Sequence, residues 1–545
     1  MTGFSHHLII APILIPLIAA AVLVFFDERQ RTIKAMISVA ATILSVFVAF
    51  TLFRIQSAGG PFDGAYLLGN WAAPFGIVLV LDRLSAMMLA LTSVLGIATL
   101  IYSLARWHSV GSHFHTMFQL LMMGVSGAFL TGDLFNLFVF FEVMLAASYG
   151  LMLHGSGPLR VKTGLHYIVI NLGAALLFLI GVSLIYGSTG TLNMADLAAR
   201  ISELEPDRRM LMEAGAGVLG VAFLIKAGMW PLCFWLPSAY GAASAPVAGM
   251  FAILSKLGIY VLLRLTMLLF GDGPSAGFGA NVLLFGGMAT LIFGIIGVLA
   301  CQALGRMAGF FVLVSSGTLL MILGINNYAV SSGALLYLVS STLTIGAFFM
   351  LIELVERGQD AGANVLAVTM EAFGDADEDA PEEEEGVTMP GTLAILGMCF
   401  AASAILLSGL PPLSGFVAKF AMLTALMGAG AEGAPPTGGV WALIVLIIVS
   451  GIAALIALTR AGIRTFWSSI EGTVPRVLVI EVVPVVFLIA LTFVLTVRAG
   501  TAMEYMDATM RSLRNPTNYI ETVRKAFVVP SPGKAQTAAG EGEGH

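Results

Sequence analysis

Charge is what this chain has least of. Of its 545 residues only 11% are charged, less than half the share usual for a soluble globular domain. The formal net charge is −6, so no basic face exists to neutralise phosphates, and nucleic acid is excluded as a partner. Cysteine is nearly absent too. Cys233, Cys301 and Cys399 lie far apart in or beside apolar segments, with no CxxC spacing for iron–sulfur or zinc ligation. No glycine loop of the nucleotide-binding kind follows a strand, and there is no HExxH and no nucleophile elbow. The chain is therefore expected to hold no cofactor and to carry no redox centre of its own. The start, MTGFSHHLII, places no Lys or Arg before the first apolar run. No small-residue cleavage pattern follows it, so that run is expected to be a retained helix.

What is present is apolar. Hydrophobic residues make up 58% of the chain and mean hydropathy is +0.95, which defines an all-α polytopic membrane protein. Crossing the hydrocarbon core takes roughly 20 apolar residues. Fourteen segments meet that requirement, near 8–26, 35–53, 79–104, 114–131, 133–153, 163–186, 211–230, 246–270, 281–300, 308–325, 332–354, 391–430, 441–459 and 477–497. Lys and Arg are biased among the connections. Eleven fall in the odd-to-even loops and four in the even-to-odd loops, which puts both termini outside the cytoplasm.

Two spans cannot be straight. As one helix, 391–430 would be about 60 Å long, twice the bilayer core. It contains GLPPLSG, where Pro411 and Pro412 remove two backbone donors and break the helix. The seventh span runs into KAGMWPLCFWLP, interrupted by Pro231 and Pro237. Paired interruptions of this kind point to an inverted-repeat transporter with its site near the breaks. The loop 357–389 holds DADEDAPEEEE and reads as a solvated acidic loop, and the tail after about Val528 reads as disordered. Just before that tail, a segment mixing apolar and charged residues is expected to lie along the membrane surface or on a partner.

Five cations remain inside spans: Arg83, Lys226, Lys256, Arg264 and Lys419. Arg83 follows Asp82 near a span end, where local pairing and snorkelling explain both, and Arg264 reads as a helix-end anchor. The three lysines are harder to dismiss. A charge at the bilayer centre costs roughly 2.5–3.5 kcal/mol on insertion scales, so each needs a role or a partner. Glu142, in NLFVFFEVMLAASYG, stands at the middle of the fifth span. Desolvation disfavours the charged form of a lone carboxylate or a lone lysine, whereas each favours the charged form of the other. A Glu142–Lys226 pair is thus either a packing ion pair or a protonation relay. His166 in the sixth span is a weaker relay candidate, equally suited to packing.

Several stretches carry a family resemblance: DLFNLFVFFEVMLAASYGLMLHG, YGSTGTLNMADLA, KAGMWPLCFWLPSAYGAASAPVAG and GLPPLSGFVAK. They resemble the antiporter-like subunits shared by respiratory complex I and the Mrp multisubunit cation/proton antiporters, above all the D subunit of the latter. The resemblance implies two inverted five-helix repeats with discontinuous helices 7 and 12. It also implies a midplane charged axis of Glu142, Lys226, Lys256 and Lys419 for proton translocation. Two departures stand out. Cys233 occupies a position where complex I relatives usually have histidine, and the eleventh span offers only hydroxyls, Ser340, Ser341, Thr342 and Thr344, where relatives often carry His or Lys. Water held by Ser340, Ser341 and Thr344 would have to join Lys256 to Lys419.

The expected organisation is 1–110 for helices 1–3, 111–272 for the first repeat, and 273–460 for the second repeat with its acidic loop. Helix 14 occupies 461–500, and 501–545 holds an amphipathic segment and the tail. The expected function is that of a proton-translocating subunit of a Na+/H+ antiporter of the Mrp type, a transporter rather than an enzyme. Its partners would be other membrane subunits, the lipid bilayer, protons and monovalent cations, in a bacterial inner membrane. A proton-pumping subunit of a complex I-type oxidoreductase or membrane hydrogenase is the alternative, and an assembly scaffold whose charges only satisfy packing is a third reading.

Overall fold

The computed structural model describes residues 4–58, 64–372, 391–428, 437–466 and 477–526. A short α1 (Phe4–His7) precedes α2 (Ala11–Val24) and α3 (Arg31–Ala58). A small antiparallel hairpin, β1 (Gly64–Leu67) and β2 (Val78–Leu81), pairs Gly64 with Leu81 and Leu67 with Val78. It leads into α4 (Arg83–Ser103), α5 (Phe114–Leu130), α6 (Leu134–Leu153), α7 (Pro158–Thr189), the short α8 (Met194–Ile201), α9 (Pro206–Ala227), the short α10 (Trp235–Ala242) and α11 (Ala245–Leu269). Then come α12 (Ala280–Ala300), α13 (Leu304–Ile325), α14 (Tyr328–Ala372), α15 (Gly391–Ser408), α16 (Ser414–Met427), α17 (Gly438–Phe466), α18 (Val479–Val497), α19 (Ala499–Arg514) and α20 (Thr517–Arg524). Among the described residues, twelve helices are long and apolar enough to cross a membrane, with α2, α5 and α16 as shorter apolar helices. Each of the fourteen expected segments falls on one of these helices or, for 391–430, on α15 and α16.

The two expected interruptions are real breaks. Helix α9 stops at Ala227 because Gly228 takes a left-handed conformation (φ 75°), donating back to Leu224 and Ile225. A Cβ there would lie 2.9 Å from Leu236 and Leu313. The unwound backbone is satisfied by a neighbour: the Trp230 N–H donates to Thr290 Oγ1 on α12 at 2.8 Å. The second break separates α15 from α16 at residues 409–413.

Close helix contacts occur at small residues, as packing in lipid requires. Gly124 and Gly127 of α5 face Met144 and Phe140 of α6, while Gly294 and Gly297 of α12 face Val314 and Phe310 of α13. The separations along the chain are the same in both pairs, and in that register Val312 stands where the first pair has Glu142. Helices α11 and α14 are buried inside the bundle.

Two expectations shift. Helix α14 continues to Ala372, so the chain stays helical well past residue 357. The acidic run itself and the tail lie outside the described residues. The segment before the tail forms α19 and α20, and these pack on the chain's own body. Met506, Met510 and Leu513 are buried, and Tyr519 and Val523 close over Val78, Val80 and Ala195. Part of each apolar stripe is thus covered by the chain itself. The His7 ring reaches the Tyr66 hydroxyl on β1, so α1 and α20 meet the same hairpin at one end of the bundle.

Candidate functional site

Glu142 lies half-buried on α6 and shares a small cavity with Lys226, walled by Phe141, Phe178 and Phe223. No direct ion pair forms between them. The Lys226 ammonium instead donates to the side-chain oxygen of Asn171 on α7 and sits 5.9 Å from the centre of the Phe141 ring. Lys226 occupies the last turn of α9, where the unpaired carbonyls of a helix end favour a cation. Helix α11 is pressed onto the same residue: a Cβ on Gly258 would lie 3.2 Å from that of Lys226.

Two residues before Gly258, Lys256 is fully buried. Its ammonium donates to Ser315 Oγ on α13 at 2.7 Å, and the Ser315 and Ser341 hydroxyls are 2.9 Å apart. One residue back on α14, the Ser340 hydroxyl lies 2.8 Å from that of Ser414, the first residue of α16. Ser315, Ser340, Ser341 and Gly415 line one further cavity. Lys419 of α16 donates to the Ser408 carbonyl at 3.1 Å, the last residue of α15. Lys419 therefore rests on the C-terminal end of α15, while Lys226 belongs to the last turn of α9 with its ammonium turned to Asn171. Gly409 makes room for this. It has φ 73°, and a Cβ on it would lie 2.6 Å from Lys419 Cδ.

Not every expected residue joins this series. Thr344 bonds back to the Ser340 carbonyl and Thr342 to that of Leu338, so neither reaches across. His166 is exposed on the outer face of α7, while its neighbour Tyr167 points inward. Cys233 is buried within the first break. Pro231, Pro411 and Pro412 stand in the two interruptions. Arg264 is no anchor: it pairs with Asp82 at 2.8 Å, both buried, and its Nε donates to Tyr260, which donates to the Phe129 carbonyl. That leaves Arg83 to lie over the Tyr505 ring. Sequence reasoning missed Asn171, Ser315 and Ser414. A polar residue in the middle of the sixth span was a usable signal for Asn171; serines recur too often in these spans to single out two.

An acid and a lysine thus face one cavity, a second lysine is buried with a hydroxyl partner, and two helices of the bundle are interrupted. The family described as NADH:quinone oxidoreductase/Mrp antiporter, transmembrane, matches residues 131–444. The chain is 61% identical over 533 residues to the D subunit of a probable K(+)/H(+) antiporter of Rhizobium meliloti, covering 96% of this chain and 99% of that one. It is 34% identical over 537 residues to the D subunit of the Na(+)/H(+) antiporter of Alkalihalophilus pseudofirmus, covering 95% and 100%. A chain in the structure of the Mrp complex from Dietzia sp. superimposes with a TM-score of 0.81 at 26% identity, covering 96% and 100%. A chain of respiratory complex I from Thermus thermophilus shares the fold, with a TM-score of 0.72 at 20% identity, covering 93% and 99%. The chain belongs to this family and, within it, to the D-subunit group of Mrp-type antiporters. It is accordingly a multi-pass membrane protein related to transporter subunits.

Proposed function

We propose that this chain translocates protons within a multisubunit monovalent cation/proton antiporter of a bacterial cell membrane, through Glu142, Lys226, Lys256 and Lys419. The observation that carries the reading is the cavity shared by Glu142 and Lys226. A proton reaching Glu142 removes the negative charge facing Lys226. At an effective dielectric constant of about 20, two unit charges interact by about 4 kcal/mol at about 4 Å and by correspondingly less across a cavity, so losing the acid's charge weakens the support for the lysine's charged form. The altered lysine acts on Lys256 across the α9–α11 contact. From Lys256, the Ser315–Ser341 and Ser340–Ser414 pairs supply donors and acceptors toward Lys419. The membrane potential acts on each charge moved at roughly 2.3 kcal/mol per 100 mV. The Lys and Arg bias of the loops supports external termini, with cytoplasmic cations leaving as external protons enter.

K+ is the expected cation, because the relative with 61% identity is named for K(+)/H(+) exchange. Na+ is the second reading, from the relative with 34% identity. The test is exchange in everted membrane vesicles containing the full complex, read from collapse of the proton gradient when K+ or Na+ is added. Glu142→Gln should lower exchange at least tenfold with the complex still assembled. Unchanged exchange would refute the proposal.

A further inference from the structure

A groove of about 630 Å³ opens between α3, α4, α14, α18 and α19. Its walls are almost wholly apolar, including Leu91, Val94, Leu343 and Leu491, yet Arg54, Arg83 and Arg498 all lie at one end of it. Each of these arginines is at the same end of its span: Arg54 in the last turn or so of α3, Arg83 at the start of α4, and Arg498 just after α18. Glu504 also lines that end, one acid to three arginines in the lining. Tyr505 pins α19 there, donating to the Arg83 carbonyl at 2.7 Å and stacking on Phe53 with ring centres 4.7 Å apart.

We propose that this groove binds one anionic phospholipid, its phosphate on the arginines and an acyl chain along α4 and α14. Length favours a lipid over a neighbouring helix. From Arg83 to Val94 is about 16 Å of helix, close to half of the roughly 30 Å hydrocarbon core. A partner helix would need an apolar surface across the whole bilayer and no cluster of cations at one end. Guanidinium groups match phosphate oxygens in geometry as well as charge. Val339 and Leu343, which also line the groove, flank Ser340 and Ser341 on α14. The lipid therefore backs the stretch of α14 that presents those hydroxyls inward.

The assignment rests on the groove alone and is tested without transport. The full complex, purified in mild detergent and washed, is assayed for co-purifying phosphatidylglycerol and cardiolipin by mass spectrometry. Arg54→Gln with Arg498→Gln should remove one anionic phospholipid per complex. Leu91→Trp, which fills the tail region and leaves the arginines alone, should remove the same molecule. Equal lipid retention in wild type and both variants would overturn the proposal. So would cross-linking of Ala90→Cys to another subunit in intact membranes, because a protein would then occupy the groove.

Discussion

Lys256 has a hydroxyl for a neighbour where Lys226 has an amide and a cavity shared with an acid. Removing the Ser315 hydroxyl would leave a buried ammonium short of an acceptor, at a cost of roughly 1–3 kcal/mol. Ser315→Ala is expected to slow exchange severalfold and Ser315→Thr to retain most of it, measured in everted vesicles at equal complex content. Asp82 offers a contrast, since it neutralises a buried charge far from the series. Asp82→Asn leaves Arg264 unbalanced and is expected to destabilise the chain by about 3–5 kcal/mol, seen as a lower thermal midpoint of the purified complex. Asp82→Ala with Arg264→Met should recover much of that loss. Glu142 and the three lysines were legible in the sequence because an ionisable group in an apolar span is costly wherever its partner is. Ser315 and the Asp82–Arg264 pair were not, because their partners come from other helices and hydroxyls in spans commonly bond their own backbone, as Thr342 and Thr344 do.

At the scale of elements, the interruptions put Lys419 against the end of α15 and Lys226 in the last turn of α9. Proline at 231, 411 and 412 announced both breaks, whereas the glycines that complete them could not be weighed without neighbours. Gly409→Ala must hold an L residue at φ 73° and push the Lys419 side chain aside. Exchange should fall severalfold while the complex stays assembled, as immunoblots of membranes would verify. The helix pairs give a second test. A Cβ on Gly317 of α13 would lie 2.5 Å from the Leu291 backbone nitrogen of α12, while one on Gly220 of α9 meets nothing within 4 Å. Gly317→Ala should cost about 1–3 kcal/mol and lower the thermal midpoint. Gly220→Ala should be neutral or slightly stabilising, as alanine is the better helix former. The inward turn of α19 and α20 was not readable, because an amphipathic stripe fits a membrane, a partner or the chain's own surface equally well.

For the whole molecule, low charge, fourteen apolar segments and two breaks were enough to define the class of fold, because a bilayer permits so few alternatives. The candidate residues were readable as well, but not the side chains that hold them. The structure places Glu142, Lys226, Lys256 and Lys419 on α6, α9, α11 and α16, with Lys226 held by the Asn171 amide, Lys256 by the Ser315 hydroxyl and Lys419 by the Ser408 carbonyl, and His166 left on the outer surface. Whether proton movement runs through this series is decided by cation-driven collapse of the proton gradient in everted vesicles carrying the full complex, with Lys226, Lys256 or Lys419 changed to alanine and the exposed Lys162→Ala as the control. At matched complex content, each of the three substitutions should lower exchange at least tenfold and the control should exchange like wild type. Wild-type exchange in the Lys226, Lys256 or Lys419 variant would contradict a path through the lysines.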